Sequence, residues 1–229
     1  MPPLPVEHVA RAVDHTLLDP GAGDASLTAL CREADEYGFA AVCVYPWWVT
    51  RARALLRGGA AVCTVVSFPH GLDATAAKRD AARAAIASGA DEIDVVIAYA
   101  ALRDGDTRAA ADDLSAVVEA SRAERGDVLV KAIIESAQLS DDEIVLACGL
   151  VAAAGADFAK TSTGHAGGAT VRAVSLMRAS LPPSVAVKAS GGIRTAGCAL
   201  DMLDAGATRI GTSNALSIVA ELEMHALAR

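Results

Sequence analysis

The chain lacks several features that would place it in a secreted, membrane or multidomain class. Its five cysteines include no CxxC pair, and their odd number fits neither a closed disulfide framework nor a cysteine zinc cluster. No uncharged apolar run reaches transmembrane length, and the first residues lack the charged start and apolar stretch of a signal peptide. No linker or charge block marks a domain boundary. We therefore predict one domain over 1–229, a cytoplasmic location and no membrane partner.

Runs of lysine and arginine are also missing. The formal net charge is −8 and the pI is near 5.1. Binding to a phosphate backbone needs a clustered basic surface, so a nucleic-acid partner is not expected. An acidic chain that binds a small anion must use a local device, such as backbone N–H groups at the start of a helix. Small molecules are the expected partners.

Short apolar, β-branched runs alternate with alanine-rich amphipathic segments along the whole chain. The predicted strands lie at 11–14, 41–45, 61–66, 91–97, 128–134, 156–160, 184–189 and 208–211. The predicted helices lie at 26–37, 47–57, 73–88, 107–124, 140–154, 170–180, 195–204 and 214–227. Alternating strands and helices imply a parallel sheet, and eight units favour closure into a (β/α)8 TIM barrel. An open doubly wound sheet is the alternative.

Polar residues and glycines mark the ends of the predicted helices. Candidate N-caps are Ser26, Asp73, Ser140 and Thr195. Candidate C-terminal glycines are Gly38, Gly58, Gly89, Gly155 and Gly206. Trp47 and Trp48 are expected to start the second helix and to pack.

Lysine is scarce, and its placement is informative. Lys78 lies in a predicted helix and is expected to be solvated, whereas Lys131, Lys160 and Lys188 lie within apolar strands. A lysine buried without a partner is costly, so each of the three must either form a structural ion pair or perform chemistry. Since catalytic groups of such barrels lie at the carboxyl ends of strands, the second interpretation points to an active site there.

A lysine at such a site can act as a nucleophile. A neutral amine attacks a carbonyl to form a Schiff base, and desolvation or a second cation lowers the pKa of the amine enough for that reaction. Lys160 and Lys188, on neighbouring predicted strands, provide such a pair of cations, and Lys131 could serve either purpose.

An acidic residue interrupts the fourth predicted strand. Strand alternation in DEIDVVI puts Asp94 on the face opposite Ile93 and Val95, where it needs cationic partners. Asp94 is therefore either a structural ion-pair partner of Lys131 or Lys188, or a proton-transfer group. Asp14, at the predicted end of strand one, is a further candidate of the same type.

Glycine-rich turns follow the last three predicted strands, at 161–170, 190–195 and 211–214. In barrels of this class a phosphate commonly binds after strands seven and eight, and glycines let backbone N–H groups approach it. Ser190, Ser213 and Arg194 could add donors. Cys43, within the second strand, is expected to be a small buried hydrophobe.

These segments, taken in order, resemble the signature segments of the deoxyribose-phosphate aldolases. The resemblance runs from Asp14 to Asn214, and KTSTG followed by KASGG is its most specific part. The matching segments are DHTLL, SFPHG, GADEIDVVI, VKAIIES, GADFAKTSTG, VKASGGIRT and RIGTSN. The chain departs from the pattern of many members at Tyr45, Ala98 and His165.

The resemblance implies a class I aldolase with no metal and no organic cofactor. It would cleave 2-deoxy-D-ribose 5-phosphate reversibly to D-glyceraldehyde 3-phosphate and acetaldehyde. It makes Lys160 the Schiff-base residue, Lys188 the second active-site lysine and Asp94 the proton-transfer residue. The implied phosphate site comprises Gly164, Gly191, Gly192, Gly211 and Ser213, to which Arg194 is added from its place in the turn. Further pocket candidates are Asp14, Thr16, Cys43, Lys131 and Thr161.

Other interpretations stay open from the sequence. A phosphate-binding barrel isomerase or synthase would use the lysines as electrostatic clamps, and a non-catalytic sugar-phosphate sensor would bind without turnover. Transaldolases and class I fructose-bisphosphate aldolases also use strand-end lysines, but their resemblance does not cover these segments. Barrels often dimerise, so a homodimer is expected.

Overall fold

Eight parallel strands close into a barrel in the computed structural model, which describes residues 6–227. Each strand pairs with its neighbours in sequence, and β8 pairs with β1. The strands are β1 Val13–Leu17, β2 Ala41–Val44, β3 Ala61–Val66, β4 Glu92–Val96, β5 Leu129–Ile133, β6 Phe158–Lys160, β7 Ala186–Ser190 and β8 Arg209–Thr212. The predicted TIM barrel is confirmed, and the alternative of an open sheet is excluded.

Ten α-helices and two short 3-10 turns occur among residues 6–227. The helices are α1 Val6–Ala10, α2 Asp24–Tyr37, α3 Val49–Leu55, α4 Thr75–Ala87, α5 Tyr99–Arg103, α6 Thr107–Glu124, α7 Asp141–Ala153, α8 Val171–Ser180, α9 Ala196–Asp204 and α10 Ala215–Leu227. Eight of them correspond to the predicted helices. The other two, α1 and α5, have five residues each, too few to show a helical period in the sequence.

The predicted helix starts are partly confirmed. Ser140 caps α7 in a full capping box with Glu143, and Thr195 caps α9 through the N–H of Cys198. The prediction for Ser26 is wrong, because α2 already begins at Asp24, an acidic residue that suits the positive end of a helix. The prediction for Asp73 is also wrong, because α4 begins at Thr75 and its N-cap residue is Ala74.

Three predictions around β1 and β2 need correction. The first strand is Val13–Leu17 instead of 11–14, so Asp14 lies near its start. Gly58 does not end α3, because the helix stops at Leu55 and the N–H of Gly58 instead donates to Asp35. Trp47 lies in the 3-10 turn before α3 and is 83% exposed, whereas Trp48 packs against the core.

The core has two parts with different chemistry. Outward-facing strand residues and the inner faces of the helices form one large apolar cluster. The barrel interior holds a small apolar group, Ala41, Cys43, Cys63 and Val65, beside many buried charges. Bulky aliphatic side chains usually fill this space, so the interior is specialised for polar chemistry.

Lys78, expected to be solvated, is only 1% exposed. Its Nζ donates to Asp113 Oδ2 on α6 at 2.6 Å and to the carbonyl of Val96 at 3.2 Å. Thr75 also donates to Asp113, at 2.8 Å. The lysine thus joins α4 to α6 and to the end of β4. The sequence did not reveal this, because alanines lie on both the buried and the exposed face of α4.

Removing Asp113 should therefore destabilise the barrel strongly. Asp113→Leu leaves the Lys78 ammonium buried without its charge partner and should lower the free energy of unfolding by about 3–5 kcal/mol. The double variant Lys78→Met/Asp113→Leu should recover most of that loss. The matched control is Asp112→Leu, next along α6 and exposed, where a change within ~0.5 kcal/mol is expected. Denaturant titration measures the free energy of unfolding of all three variants. Equal losses for Asp113→Leu and Asp112→Leu would contradict the role of Asp113 as the charge partner of Lys78.

Candidate active site

Asp94 lies at the centre of the charge cluster inside the barrel. Its Oδ1 accepts a hydrogen bond from Lys131 Nζ at 2.8 Å, and its Oδ2 accepts from Lys160 Nζ at 2.8 Å and from Lys188 Nζ at 2.7 Å. The carboxylate is fully buried. The sequence analysis predicted Lys131 or Lys188 as the ion-pair partner of Asp94. In the structure Asp94 contacts all three strand lysines.

The strand register brings these side chains together. Asp94 is opposite Lys131 across β4 and β5, and Lys160 is opposite Lys188 across β6 and β7. Residues in register on adjacent strands point to the same face, so all four side chains enter the barrel at neighbouring heights. Lys160 is the last residue of β6, which places its amine at the carboxyl end of the barrel.

A second set of charged residues contacts the lysines around Asp94. Lys188 Nζ donates to Asp14 Oδ2, and Lys131 Nζ lies 2.5 Å from Glu92 Oε2. Arg209 Nη1 joins the two acids, donating to Asp14 at 2.6 Å and to Glu92 at 3.3 Å. Glu92 and Arg209 were not identified from the sequence. Alternation gave a signal for Glu92, since it lies two residues before Asp94 and faces the same side.

The cluster carries one more positive than negative charge when all its members are ionised. Its carboxylates are Asp14, Glu92 and Asp94, and its cations are Lys131, Lys160, Lys188 and Arg209. Loss of a single proton from one amine would therefore balance the charges.

The protonation of the buried groups follows from these contacts. Burial works against the charge of Asp94, but the ammonium groups of Lys131, Lys160 and Lys188 outweigh it and hold its pKa well below the usual range. Burial likewise opposes the charge of Asp14, and Lys188 leads the cations that lower its pKa. For Lys188, Asp14 and Asp94 overcome the cost of burial and raise its pKa. Asp94 and Asp14 are therefore carboxylates and Lys188 is an ammonium at neutral pH.

A cavity of about 370 Å³ opens above the cluster at the carboxyl end of the barrel. Lys160 lines its wall. So do the six candidates for the phosphate site: Gly164, Gly191, Gly192, Arg194, Gly211 and Ser213. Their grouping agrees with the prediction from the sequence, whereas their role in binding phosphate stays a prediction.

Glycine is required where the loops after β6 and β7 meet. Gly191 has a φ of 85°, and a Cβ there would lie 3.0 Å from Gly168 Cα and 3.1 Å from Gly164 Cα. A Cβ on Gly168 would approach the Gly191 carbonyl oxygen to 2.4 Å. The two loops therefore touch through their backbones and form one continuous wall of the cavity.

The remaining pocket candidates occupy two places. Thr16 lines the cavity, whereas Asp14, Cys43, Lys131 and Thr161 are buried and do not line it. Thr161 instead connects β6 to β7, since its hydroxyl donates to the carbonyl of Ser190 at 3.2 Å and accepts from the N–H of Ser190 at 3.1 Å. It fixes the backbone beside Lys160.

Aromatic rings form another part of the cavity wall. Phe68 lines the cavity and meets the ring of His165 edge-on, with the ring centroids 5.2 Å apart. Tyr45 also packs edge-on against Phe68, with the ring centroids 6.2 Å apart. Tyr45 and His165 are two of the positions where the sequence departs from many deoxyribose-phosphate aldolases, and here they are linked through one ring.

Comparison with known proteins identifies the family of the chain. Residues 8–218 match the family described as DeoC/LacD family aldolase. The chain belongs to this aldolase family. It is 49% identical over 215 residues to the Bacillus licheniformis protein named deoxyribose-phosphate aldolase 1, a match that covers 93% of this chain and 95% of that protein. The Streptococcus pneumoniae deoxyribose-phosphate aldolase is 51% identical over 211 residues, covering 91% and 94% of the two chains.

A solved structure with the same fold comes from Aeropyrum pernix. Its deoxyribose phosphate aldolase superimposes with a TM-score of 0.87 at 31% identity, covering 96% of this chain and 92% of that one. That protein is described as having a unique tetrameric structure. The homodimer expected for the present aldolase stays a prediction. Among residues 6–227 of the aldolase, no helix is long and apolar enough to cross a membrane.

Two buried groups of this aldolase contain three potential metal ligands each. They are Cys43 with Cys63 and Asp94, and Asp14 with Cys63 and Glu92. Lys131 Nζ lies among these atoms, 3.3 Å from Cys63 Sγ and 2.8 Å from Asp94. Because an ammonium already takes the position that a metal ion would need, the donor set fits the lysine rather than a metal.

The depressed pKa values predict a steep loss of stability in acid. A carboxyl group titrates near pH 4 when unfolded, so Asp94 and Asp14 stabilise the fold above about pH 4. This contribution is lost as the pH falls below that value toward their lower folded pKa values. The free energy of unfolding of the aldolase should therefore fall steeply below about pH 4.

The substitution Asp94→Asn should make the pH dependence shallower, because one of these carboxylates no longer titrates. The measurement is urea unfolding at a series of pH values for both proteins. Curves that stay parallel down to pH 3 would argue against a strongly depressed pKa at Asp94.

Proposed function

We propose that this aldolase cleaves 2-deoxy-D-ribose 5-phosphate reversibly to D-glyceraldehyde 3-phosphate and acetaldehyde, through a Schiff base on Lys160. The observation that carries the proposal is the position of Lys160. Lys160 lines the cavity and its amine contacts the buried Asp94 carboxylate, whereas Lys131 and Lys188 do not line the cavity. The proposed substrate is inferred from the related proteins, which are named deoxyribose-phosphate aldolases.

The cluster offers a physical reason for a neutral amine at this position. Lys131 contacts Asp14, Glu92 and Asp94, and Lys188 contacts Asp14 and Asp94. Lys160 contacts Asp94 alone and shares its Oδ2 with Lys188. When all its members are ionised the cluster has one surplus positive charge, and Lys160 is the amine with the fewest carboxylate contacts. Lys188 is the neighbouring cation, in contact with the same oxygen of Asp94.

The reaction begins when the neutral Lys160 nitrogen attacks C1 of the open-chain aldehyde. Loss of water from the carbinolamine gives an iminium, which draws electrons from the substrate. The C3 hydroxyl loses its proton, the C2–C3 bond breaks, and C3 becomes the carbonyl carbon of glyceraldehyde 3-phosphate. The bonding pair forms an enamine on Lys160, and protonation at C2 followed by hydrolysis releases acetaldehyde.

Asp94 and the glycine wall, formed by Gly164, Gly191 and Gly192, have separate tasks in this scheme. Asp94 contacts both Lys160 and Lys188 through Oδ2, so it can pass protons between the amine, the carbinolamine and water. Gly164, Gly191 and Gly192, with Arg194 and Ser213, hold the phosphate on the wall of the cavity. Fixing the phosphate places C1 beside Lys160 and contributes through positioning.

Borohydride trapping tests the covalent step. Incubation with deoxyribose 5-phosphate or acetaldehyde, followed by reduction, should give an adduct on Lys160. Modification blocks tryptic cleavage there, so mass spectrometry should find the adduct in the peptide of residues 132–172. Protein reduced without substrate is the control. Intact protein that binds the sugar phosphate but forms no adduct would indicate a non-covalent barrel enzyme instead.

Substitutions test the assigned roles. Lys160→Leu should abolish turnover while the fold is retained, because no other amine of the cluster lines the cavity. Asp94→Asn and Lys188→Leu should each lower kcat by roughly 10²-fold or more. Steady-state kinetics with circular dichroism as the folding control measures these effects. Near-full activity in Lys160→Leu would remove the nucleophile, and an unchanged kcat in either of the others would remove its role.

A further inference from the structure

Glu135 has a strained backbone beside the cavity. It follows β5 directly and adopts a φ of 55°, in the left-handed region that side chains with a Cβ rarely occupy. Its side chain is almost completely buried. Such strain is costly and persists where the surrounding contacts hold it, often at functional sites. Glu135 takes no part in the reaction steps described above.

The carboxylate of Glu135 accepts hydrogen bonds from Thr163, a residue of the loop after β6. It accepts the Thr163 hydroxyl at 2.6 Å, and each of its oxygens lies 3.3 Å from the Thr163 N–H. The Thr163 hydroxyl in turn accepts the N–H of His165 at 3.1 Å. The buried carboxylate therefore fixes the residues on both sides of Gly164.

This constraint reaches the whole glycine wall. Gly164 packs against Gly191 in the loop after β7, with no side chain between the two backbones. The position of Lys160, by contrast, is set by the sheet, since Lys160 is in register with Ile133 on one side and Lys188 on the other. A change at Glu135 should thus move the glycine wall and leave the reactive amine in place.

We propose that Glu135 is a positioning residue that gives this enzyme its selectivity for phosphorylated over phosphate-free substrates. It acts through Thr163, which shapes the part of the cavity wall that would receive the phosphate. This inference rests on the proposed function. A carboxylate in direct contact with the phosphate would repel it, but the Glu135 oxygens are directed at Thr163.

The test compares two substrates that differ only in the phosphate group, 2-deoxyribose 5-phosphate and 2-deoxyribose. Glu135→Gly removes the carboxylate, and glycine adopts a positive φ without strain, so the fold is retained. Its kcat/KM should fall roughly 10- to 100-fold for the phosphorylated sugar, mainly through KM, and by less than about threefold for 2-deoxyribose. Glu135→Gln keeps one acceptor oxygen for Thr163 and should recover part of the loss.

Two further variants separate positioning from general weakening of the fold. Thr163→Val deletes the hydroxyl that Glu135 accepts, and it should reproduce the loss of selectivity. Glu143→Ala removes the carboxylate of the α7 capping box, which lies in an exposed position and has no contact with the loop. It should leave the ratio of the two kcat/KM values unchanged, although the protein is less stable.

The outcomes distinguish this inference from the function on which it rests. Wild-type protein that does not cleave deoxyribose 5-phosphate would overturn the proposed function and this inference together. Wild-type protein that cleaves it, with a substrate ratio that Glu135→Gly and Thr163→Val leave unchanged, would overturn the inference alone. Equal losses on both substrates would also overturn it, because they would indicate a structural role.

Discussion

The site depends on one carboxylate that receives three ammonium groups in a space without solvent. A buried ion is stable only when its charge is matched and its hydrogen bonds are made, and Asp94 achieves this with Lys131, Lys160 and Lys188. The strand register then has little freedom, because a slip by one residue would turn one of these charges toward the apolar layer outside the barrel. The same contacts that define the chemistry therefore help to define how the barrel closes.

The division between the two cores explains how a strongly charged interior is tolerated. The helices and the outer strand faces form a continuous apolar layer, which supplies the hydrophobic stabilisation. The interior can then hold Asp14, Glu92 and Arg209 as a second set of partners, which keep the lysines above them oriented. Each cation of the interior has at least one carboxylate partner, and the geometry that satisfies these charges also leaves the amine of Lys160 at the edge of the cavity.

Much of this arrangement could be predicted from the sequence because it follows from short-range patterns. The alternation of strands and helices gave the barrel, and lysines inside apolar strands gave the three amines. Contacts between distant segments of the chain were harder to predict from the sequence. Arg209 is unremarkable at the start of a strand, and Lys78 lies in a helix whose alanines make both faces similar, so its burial against Asp113 depends on how α4 and α6 pack. Glu135 gave no signal because its role comes from a backbone conformation that residue type does not encode.

The contact between the loops after β6 and β7 limits how the substrate range of this enzyme can be altered. Where the two loops touch, the wall is backbone, so Gly168 and Gly191 have no side chains to shorten, and added atoms would collide with the facing chain. Leu17, Leu18 and Phe68 also line the cavity, and their side chains can be exchanged for smaller or more polar ones. Attempts to admit bulkier aldehydes should therefore succeed by redesigning the β1 and β3 side of the cavity, and a library aimed at the glycines should mostly yield misfolded protein.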